Sequence, residues 1–143
     1  MFVKQISVFL ENKSGRLAEV TRILGDNDIN ISALSIADTT DFGILRLIVN
    51  NPEKALDVLK TNGFTVSAAS VIAIGVPDKP GGLARALAIL EREKIGIEYM
   101  YAFVSKKKDD ALVILKVDNQ AGAVESLKAE SISVLSPDEV YGL

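Results

Sequence analysis

The 143-residue chain contains no cysteine and no histidine. The first absence excludes disulfides and thiolate chemistry. The second removes the commonest general base and the commonest metal ligand. No stretch approaches the ~18 consecutive apolar residues of a membrane span. Met1-Phe2-Val3-Lys4-Gln5 lacks the charged segment and apolar run of a secretory signal. These absences point to the cytoplasm. An excess of basic charge is missing too: net charge is −3, and the only basic run, Lys106-Lys107-Lys108, meets Asp109-Asp110 at once. Nucleic-acid binding leaves a basic footprint. No nucleic-acid partner is therefore expected, and the lysine run reads as a solvated hairpin tip.

Hydrophobic residues make up 48% of the chain and charged residues 24%, the balance of a protein with a packed core. The length fits one ordinary domain or two small ones. An internal repeat favours two. A shift of 66 residues lays Ile6, Lys13, Gly15, Leu17, Ala18, Ile23, Leu24, Ile29 and Ile31 on identical residues at Ile72, Lys79, Gly81, Leu83, Ala84, Ile89, Leu90, Ile95 and Ile97. Further on the shift becomes 68: Leu47, Val49, Asn51, Ala55, Leu59, Lys60 and Val66 meet Leu115, Val117, Asn119, Ala123, Leu127, Lys128 and Val134. Two extra residues at a hairpin tip are what a duplicated domain tolerates. The expected domains are residues 1–70 and 71–143.

Each half has the same order of elements. Ile6, Val8 and Leu10 alternate with Ser7 and Phe9, a strand. Leu17, Val20 and Leu24 share one helix face, and Asp26-Asn27-Asp28 stops that helix. Ile29–Ala37 is rich in β-branched residues, a second strand. Asp38-Thr39-Thr40-Asp41 is a turn, and Phe42–Val49 a third strand. Asn51-Pro52-Glu53 opens a second helix with a capping residue, a first-turn proline and an acid. Gly63 suits that helix's C′ position. Phe64–Val76 runs from the last strand of one half into the first of the next. In the second half, Leu83, Leu87 and Leu90 line a helix. Ile95–Val104 and Ala111–Val117 are strands around the lysine-rich turn. A helix follows through Val124 and Leu127, and Ile132–Leu135 is the last strand. The order βαββαβ, twice, reads as an α+β fold of two ferredoxin-like sandwiches in tandem. Tyr99, Tyr101 and Phe103 alternate along one strand and share a face. They read as sheet core, or else as a contact face toward the sister domain or a second chain.

The most repeated feature is the turn between first strand and first helix: Asn12-Lys13-Ser14-Gly15-Arg16-Leu17 and Asp78-Lys79-Pro80-Gly81-Gly82-Leu83. Glycine has no Cβ, so a ligand or another backbone can come close. A helix then begins, and its unpaired N–H groups and positive dipole end favour a carboxylate. Asn12 or Asp78 is placed to cap the helix or to accept from a ligand ammonium. The same residues also make a sound strand–helix turn with no ligand. Enzyme readings are thin. Asp26/Asp28 and Asp109/Asp110 lie at turns, and nothing pairs a nucleophile with a base. No carboxylate spacing supports a metal site. Gly81-Gly82 is not followed by the Lys-Ser/Thr of a phosphate loop. Neither catalysis nor a cofactor is expected.

The pattern Asp/Asn-x-Pro/Ser-Gly-x-Leu in a βαββαβ unit resembles the ACT domain family. Asp78–Leu83 matches it closely, while Asn12–Leu17 has Asn for Asp and Ser for Pro. Asn27-Asp28-Ile29-Asn30-Ile31 and Glu93-Lys94-Ile95-Gly96-Ile97 resemble the family's approach to its second strand. The resemblance covers nearly the whole chain, twice. It implies a regulatory protein that binds an amino acid or similar small carboxylate at a seam between paired domains. One domain's glycine turn and its partner's second strand would line the pocket. Carried over, this points to Asn12, Ser14, Gly15, Arg16 and Leu17 with Asp78, Pro80, Gly81, Gly82 and Leu83. It also points to Asn30 and Ile31 with Gly96, Ile97 and Glu98. The alternative is a regulatory subunit or interaction module, without ligand, for an enzyme of amino-acid metabolism. No DNA-binding or catalytic segment accompanies the repeats, so any output passes to another molecule. Halves this small, with open edges and faces, also lead us to expect a homodimer.

Overall fold

The computed structural model describes residues 2–11, 13–38, 41–104 and 107–143, with Asp38 described by its backbone alone. Asn12, the Thr39-Thr40 part of the first hairpin turn and Lys106 of the lysine run lie outside the described residues.

The first repeat comprises β1 (Val3–Glu11), α1 (Arg16–Asp26), β2 (Ile31–Asp38), β3 (Phe42–Val49), α2 (Pro52–Thr61) and β4 (Thr65–Pro77). Along β1, Ile6, Val8 and Leu10 are buried while Phe9 is exposed, as the alternation requires. In α1 the buried stripe is Val20, Ile23 and Leu24. Leu17, expected on that stripe, sits in the first turn and is 38% exposed. The helix ends where Asn27 Nδ2 donates to the Ile23 carbonyl at 2.8 Å and Asp28 takes φ 60°. In α2, Asn51 Oδ1 accepts from the Lys54 N–H at 3.2 Å and Pro52 opens the helix. Gly63 follows with φ +87°.

β2 begins at Ile31, not Ile29. The Asn30 N–H donates to Asn50 Oδ1 at 3.0 Å, and the Asn50 N–H donates to the Asn30 carbonyl at 3.1 Å. This two-way clasp closes the hairpin, so the strand ladder starts one residue later, with a bulge between Ile31 and Ala33.

The second repeat adds α3 (Gly82–Arg92), β5 (Ile97–Ala102), β6 (Asp110–Val117), α4 (Gln120–Ala129) and β7 (Ser133–Val134). β5 is shorter at both ends than the expected Ile95–Val104. Its start is held by the same clasp: the Gly96 N–H donates to Asp118 Oδ1 at 3.0 Å and the Asp118 N–H to the Gly96 carbonyl at 3.1 Å. Past its end, the Phe103 N–H still reaches the Leu112 carbonyl at 3.0 Å. Asn119 caps α4 by accepting from the Gly122 N–H at 3.0 Å. β7 keeps only two of the four expected residues, although the Leu135 N–H also donates to the Ala73 carbonyl at 2.9 Å. A final turn of helix, α5 (Pro137–Tyr141), was not expected. Ser136 and Glu139 cap it reciprocally: the Glu139 N–H donates to Ser136 Oγ at 3.2 Å and the Ser136 N–H to Glu139 Oε1 at 3.3 Å.

The chain forms two compact units, one built from Lys4–Ala69 with Tyr141–Leu143, the other chiefly from Ser70–Val140. The strand order is β2-β3-β1-β4 through the first repeat and β5-β6-β4-β7 through the second, the same ferredoxin-like order twice. β4 is a single 13-residue strand, with residues through Ala69 in the first unit and those from Ser70 in the second. In each unit two helices pack side by side, α1 with α2 and α3 with α4. Each has its own core. Ile6, Leu24, Leu45, Leu47 and Leu59 centre the first; Ile72, Ile74, Leu90, Leu115 and Leu127 centre the second. Burying each such side chain is worth about 1.5–3 kcal/mol. Of the three alternating aromatics, Phe103, just past β5, is buried, while Tyr99 and Tyr101 on β5 are half-buried with stacked rings 6.4 Å apart.

Candidate functional site

Both strand–helix turns have the same backbone. Gly15 has φ 87°, ψ −8° and Gly81 φ 86°, ψ −8°, the left-handed region in which a Cβ is strained. Each is the N-cap of the helix that follows, so no side chain at that position closes the helix end. The Lys13 N–H donates to the Glu11 carbonyl at 2.7 Å, and the Lys79 N–H to the Pro77 carbonyl at 2.9 Å. The two turns diverge one residue into the helix, where the first carries Arg16 and the second Gly82. A Cβ on Gly82 would lie 2.0 Å from the Pro77 carbonyl oxygen. That glycine serves the chain's own backbone, one of the two uses the sequence allowed.

The first turn is a charged corner. Lys13 Nζ lies 2.8 Å from Glu11, and the Arg16 guanidinium 3.9 Å from Glu11 and 3.2 Å from Glu19. Arg16 also lies over the Phe64 ring, 5.3 Å from its centroid. The hydrogen bond and charge of Lys13, then the charge of Arg16, hold the Glu11 carboxyl below the ordinary glutamate value. All these groups are substantially exposed, so each ion pair is worth little by itself.

Two hollows meet at this corner. One, of about 180 Å³, has an aliphatic wall of Leu10, Leu17 and Ile36, a charged rim of Glu11, Lys13 and Arg16, and Gly43 between them. The other, of about 160 Å³, is lined by Phe9, Phe42 and Phe64 and shares Glu11 and Arg16. Leu17 and Ile36 are 38% and 43% exposed, large apolar groups left facing the first hollow.

At the second turn, Asp78, Pro80 and Gly81 are exposed, and the Asp78 N–H donates to the Asp109 carbonyl at 3.0 Å. Leu83, the counterpart of Leu17, packs against the second core. The remaining positions lie at strand starts. Asn30 is in the first clasp and Ile31 opens β2 against the core. Gly96 is in the second clasp, Ile97 opens β5, and Glu98 is exposed at the bulge there. Within the first unit, the β2 residue beside the glycine turn is Ile36. It lies five residues, roughly 16 Å, along the strand from Ile31. Ser14 is exposed at the turn itself. Sequence reasoning did not single out Leu10, Glu11, Lys13 or Ile36 as lining residues. The alternation of Leu34 and Ile36 along an edge strand was the available signal.

Among the described residues, no group of three or more acidic side chains is placed to hold a metal ion. No helix there is long and apolar enough to cross a membrane.

A duplicated βαββαβ sandwich, with a left-handed glycine at each strand–helix turn and a charged hollow beside one of them, has the form of paired ACT domains. The chain belongs to the ACT domain pair family, which it matches over residues 1–142. Its structure is similar to that of protein BT0572 from Bacteroides thetaiotaomicron, with a TM-score of 0.94 and 45% identity over 100% of this chain and 98% of that one. The ligand-free regulatory subunit of aspartate kinase from Thermus thermophilus aligns with a TM-score of 0.65 and 15% identity, covering 90% of this chain and 92% of that one. Aspartokinase alpha and beta subunits align with a TM-score of 0.59 and 14% identity, covering 88% and 90%. At such identities the last two share the fold. No curated protein matches the sequence. ACT domain pairs are typically regulatory rather than catalytic, and ACT domains generally bind small ligands such as amino acids.

Proposed function

We propose that this chain, with ACT-like domains at residues 1–70 and 71–143, binds an amino acid or similar small carboxylate beside the Gly15 turn and thereby regulates an enzyme of amino-acid metabolism. The observation that carries the reading is the 180 Å³ hollow with two cations on its rim at the start of α1. It is smaller than the ~300–1,000 Å³ of drug-sized and cofactor sites, a size that suits a metabolite of a few heavy atoms. Arg16, Lys13 and the positive end of α1 all favour an incoming carboxylate.

A thermal-shift screen against the standard amino acids tests this. A ligand at 100 times its Kd adds about 2.7 kcal/mol, roughly 5–10 °C for a chain of this size. If none of them shifts the melt and calorimetry shows no heat of binding, the sensor reading falls.

The second reading is a regulatory interaction module. It is favoured by the exposed Leu34 and Ile36, two residues apart on one face of β2, since neighbouring exposed apolar side chains mark interaction surfaces. Co-purification with a metabolic enzyme supports it. β2 ends the strand order, so its outer edge is also available for a two-fold homodimer. A stable monomer in sedimentation at micromolar concentration, with and without ligand, removes the dimer from the proposal.

A further inference from the structure

We infer that Asn62-Gly63 is a covalent modification site, where the chain deamidates to aspartate and isoaspartate at a rate set by the opening of the C-terminal end of α2. The inference does not depend on the ligand-binding reading above.

The sequence singles the pair out. Asn-Gly occurs once in the chain, and both residues are exposed. Glycine carries no side chain to shield its own nitrogen, so that nitrogen can approach the amide carbon of the preceding asparagine. The Gly63 nitrogen attacks Asn62 Cγ, the Cγ–Nδ2 bond breaks, and Nδ2 leaves as ammonia with the proton that Gly63 gives up. Water then opens the five-membered imide. Attack at Cγ leaves aspartate. Attack at the backbone carbonyl carbon of residue 62 leaves isoaspartate, with the chain rerouted through Cγ. Water is the only co-reactant.

The fold holds the reacting atoms apart. Asn62 Nδ2 donates to the Val58 carbonyl at 2.7 Å, which turns the amide back along α2. The Gly63 N–H donates to the Lys60 carbonyl at 3.0 Å. Ring closure needs Asn62 Cβ and the Gly63 nitrogen nearly eclipsed about the Cα–C bond, and the observed ψ of 14° keeps them apart. Both hydrogen bonds must therefore break, and ψ must turn, before the ring can form. Helix ends open locally at far lower cost than the core does.

The duplicate shows what the product would meet. A shift of 68 residues lays Asn62 on Glu130, so the second repeat already has a carboxylate at this helix end. There α3 supplies two arginines: Arg92 pairs with the Glu130 carboxylate, and Arg85 donates to the Glu130 carbonyl at 2.6 Å. A shift of 66 residues puts Asp26 and Glu19 where those arginines stand. These acids are already paired, with Arg22 at 3.6 Å and Arg16 at 3.2 Å. A carboxylate at position 62 gains no such cation, loses the donor to Val58, and sits at the negative end of α2. Isoaspartate also adds a backbone carbon just before Gly63 and Phe64, which line the aromatic hollow shared with Arg16.

Mass spectrometry of the full chain tests this, after incubation in mildly alkaline buffer with and without denaturing urea. Each conversion adds about 1 Da, and peptide mapping separates the two products. Asn62 is expected to react before every other asparagine, and roughly tenfold or more slowly in the folded chain than in urea. Asn62→Asp, which carries the product's charge at an exposed position, is expected to lower the urea midpoint, and by less in high salt. If another asparagine reacts first, the site is overturned. Equal rates with and without urea would show that α2 does not gate the reaction. If only the unfolded chain reacts, the native protein has no such site. An Asn62→Asp midpoint equal to the parent's overturns the charge argument drawn from the second repeat.

Discussion

Replacing Gly82 with alanine sets two effects of opposite sign against each other. Gly82 is the first residue of α3, and alanine is favoured over glycine in helices by about 1 kcal/mol. Propensity alone therefore makes Gly82→Ala stabilising. The local geometry argues otherwise. The new Cβ would sit 2.0 Å from the Pro77 carbonyl oxygen and 3.0 Å from its carbon. These are backbone atoms at the end of a paired strand, so they cannot swing aside as a side chain would. Overpacking of this kind costs ~1–3 kcal/mol. The first turn shows how far the chain can yield: there Arg16 carries a Cβ, and the closing bond from its N–H to the Lys13 carbonyl is 3.4 Å, against 3.0 Å for Gly82 to Lys79. Partial relaxation keeps the clash in the lower part of its range, still above the propensity gain. The expected net loss is the difference, roughly 0.5–1 kcal/mol. With a urea m-value of about 1–3 kcal/mol/M, the midpoint falls by roughly 0.2–1 M. The assay is equilibrium urea unfolding of parent and variant, comparing midpoints at unchanged m. A midpoint equal to or above the parent's would refute the steric argument and leave helix propensity as the governing term.

Three further outcomes are expected. Gly81→Ala meets no atom within 4 Å but must hold φ +86°, so it costs about 1–2 kcal/mol in the same urea assay; an unchanged midpoint would show that the turn can leave the left-handed region. Asn51→Ala removes the side-chain acceptor for the Lys54 N–H and lowers stability by about 0.5–2 kcal/mol, measured by urea or thermal unfolding. Stability also falls in acid. The Glu11, Glu130 and Glu139 carboxyls are held below the ordinary value, chiefly by their hydrogen bonds to Lys13, Arg92 and Lys107 respectively. Their folded values lie below their unfolded ones, so their contribution is complete above about pH 4.3 and disappears as pH falls through the folded values. The pairs are exposed, so 1 M salt should flatten the trend, and a profile between pH 3 and 6 that is identical in low and high salt would contradict it.

Much of the fold was legible because local chemistry and tertiary context agree. The Asn51-Pro52 helix start and Gly63 are local signals, and each appears where its residues require it. The starts of β2 and β5 were misplaced because Ile29 and Ile95 look like strand residues while the next position is taken by a clasp from across the hairpin. No local pattern announces that the side chain of Asn50 or Asp118 will be used in this way. α5 was missed for its shortness, although Ser136-Pro137-Asp138-Glu139 carries the capping-box spacing in plain view. The glycine turns were legible as turns. What the sequence could not show was the wall facing Gly15, because Ile36 reaches it from β2 and Leu10 from β1 only once the sheet has formed. It also could not distinguish Gly82 as room for a ligand from Gly82 as room for Pro77.

The clasps at the two hairpins also bear on how a duplicated chain diverges. In the first repeat the acceptor is the amide oxygen of Asn50, in the second a carboxylate oxygen of Asp118. A backbone N–H asks only for an oxygen at that place, so a full negative charge can come or go there while the hydrogen bond is kept. The carboxylate brings a second oxygen, which lies 2.8 Å from where a Cβ on residue 96 would stand, and that residue is glycine; the amide copy has Asn30 in its place. The two substitutions therefore form a matched pair. Gly15 and Gly81 answer to a different demand, an angle of +86° to +87° rather than an atom. Duplicate copies of one fold are thus free to acquire different surface charge at corners that require an acceptor, while both strand–helix turns of this chain keep glycine at the left-handed position.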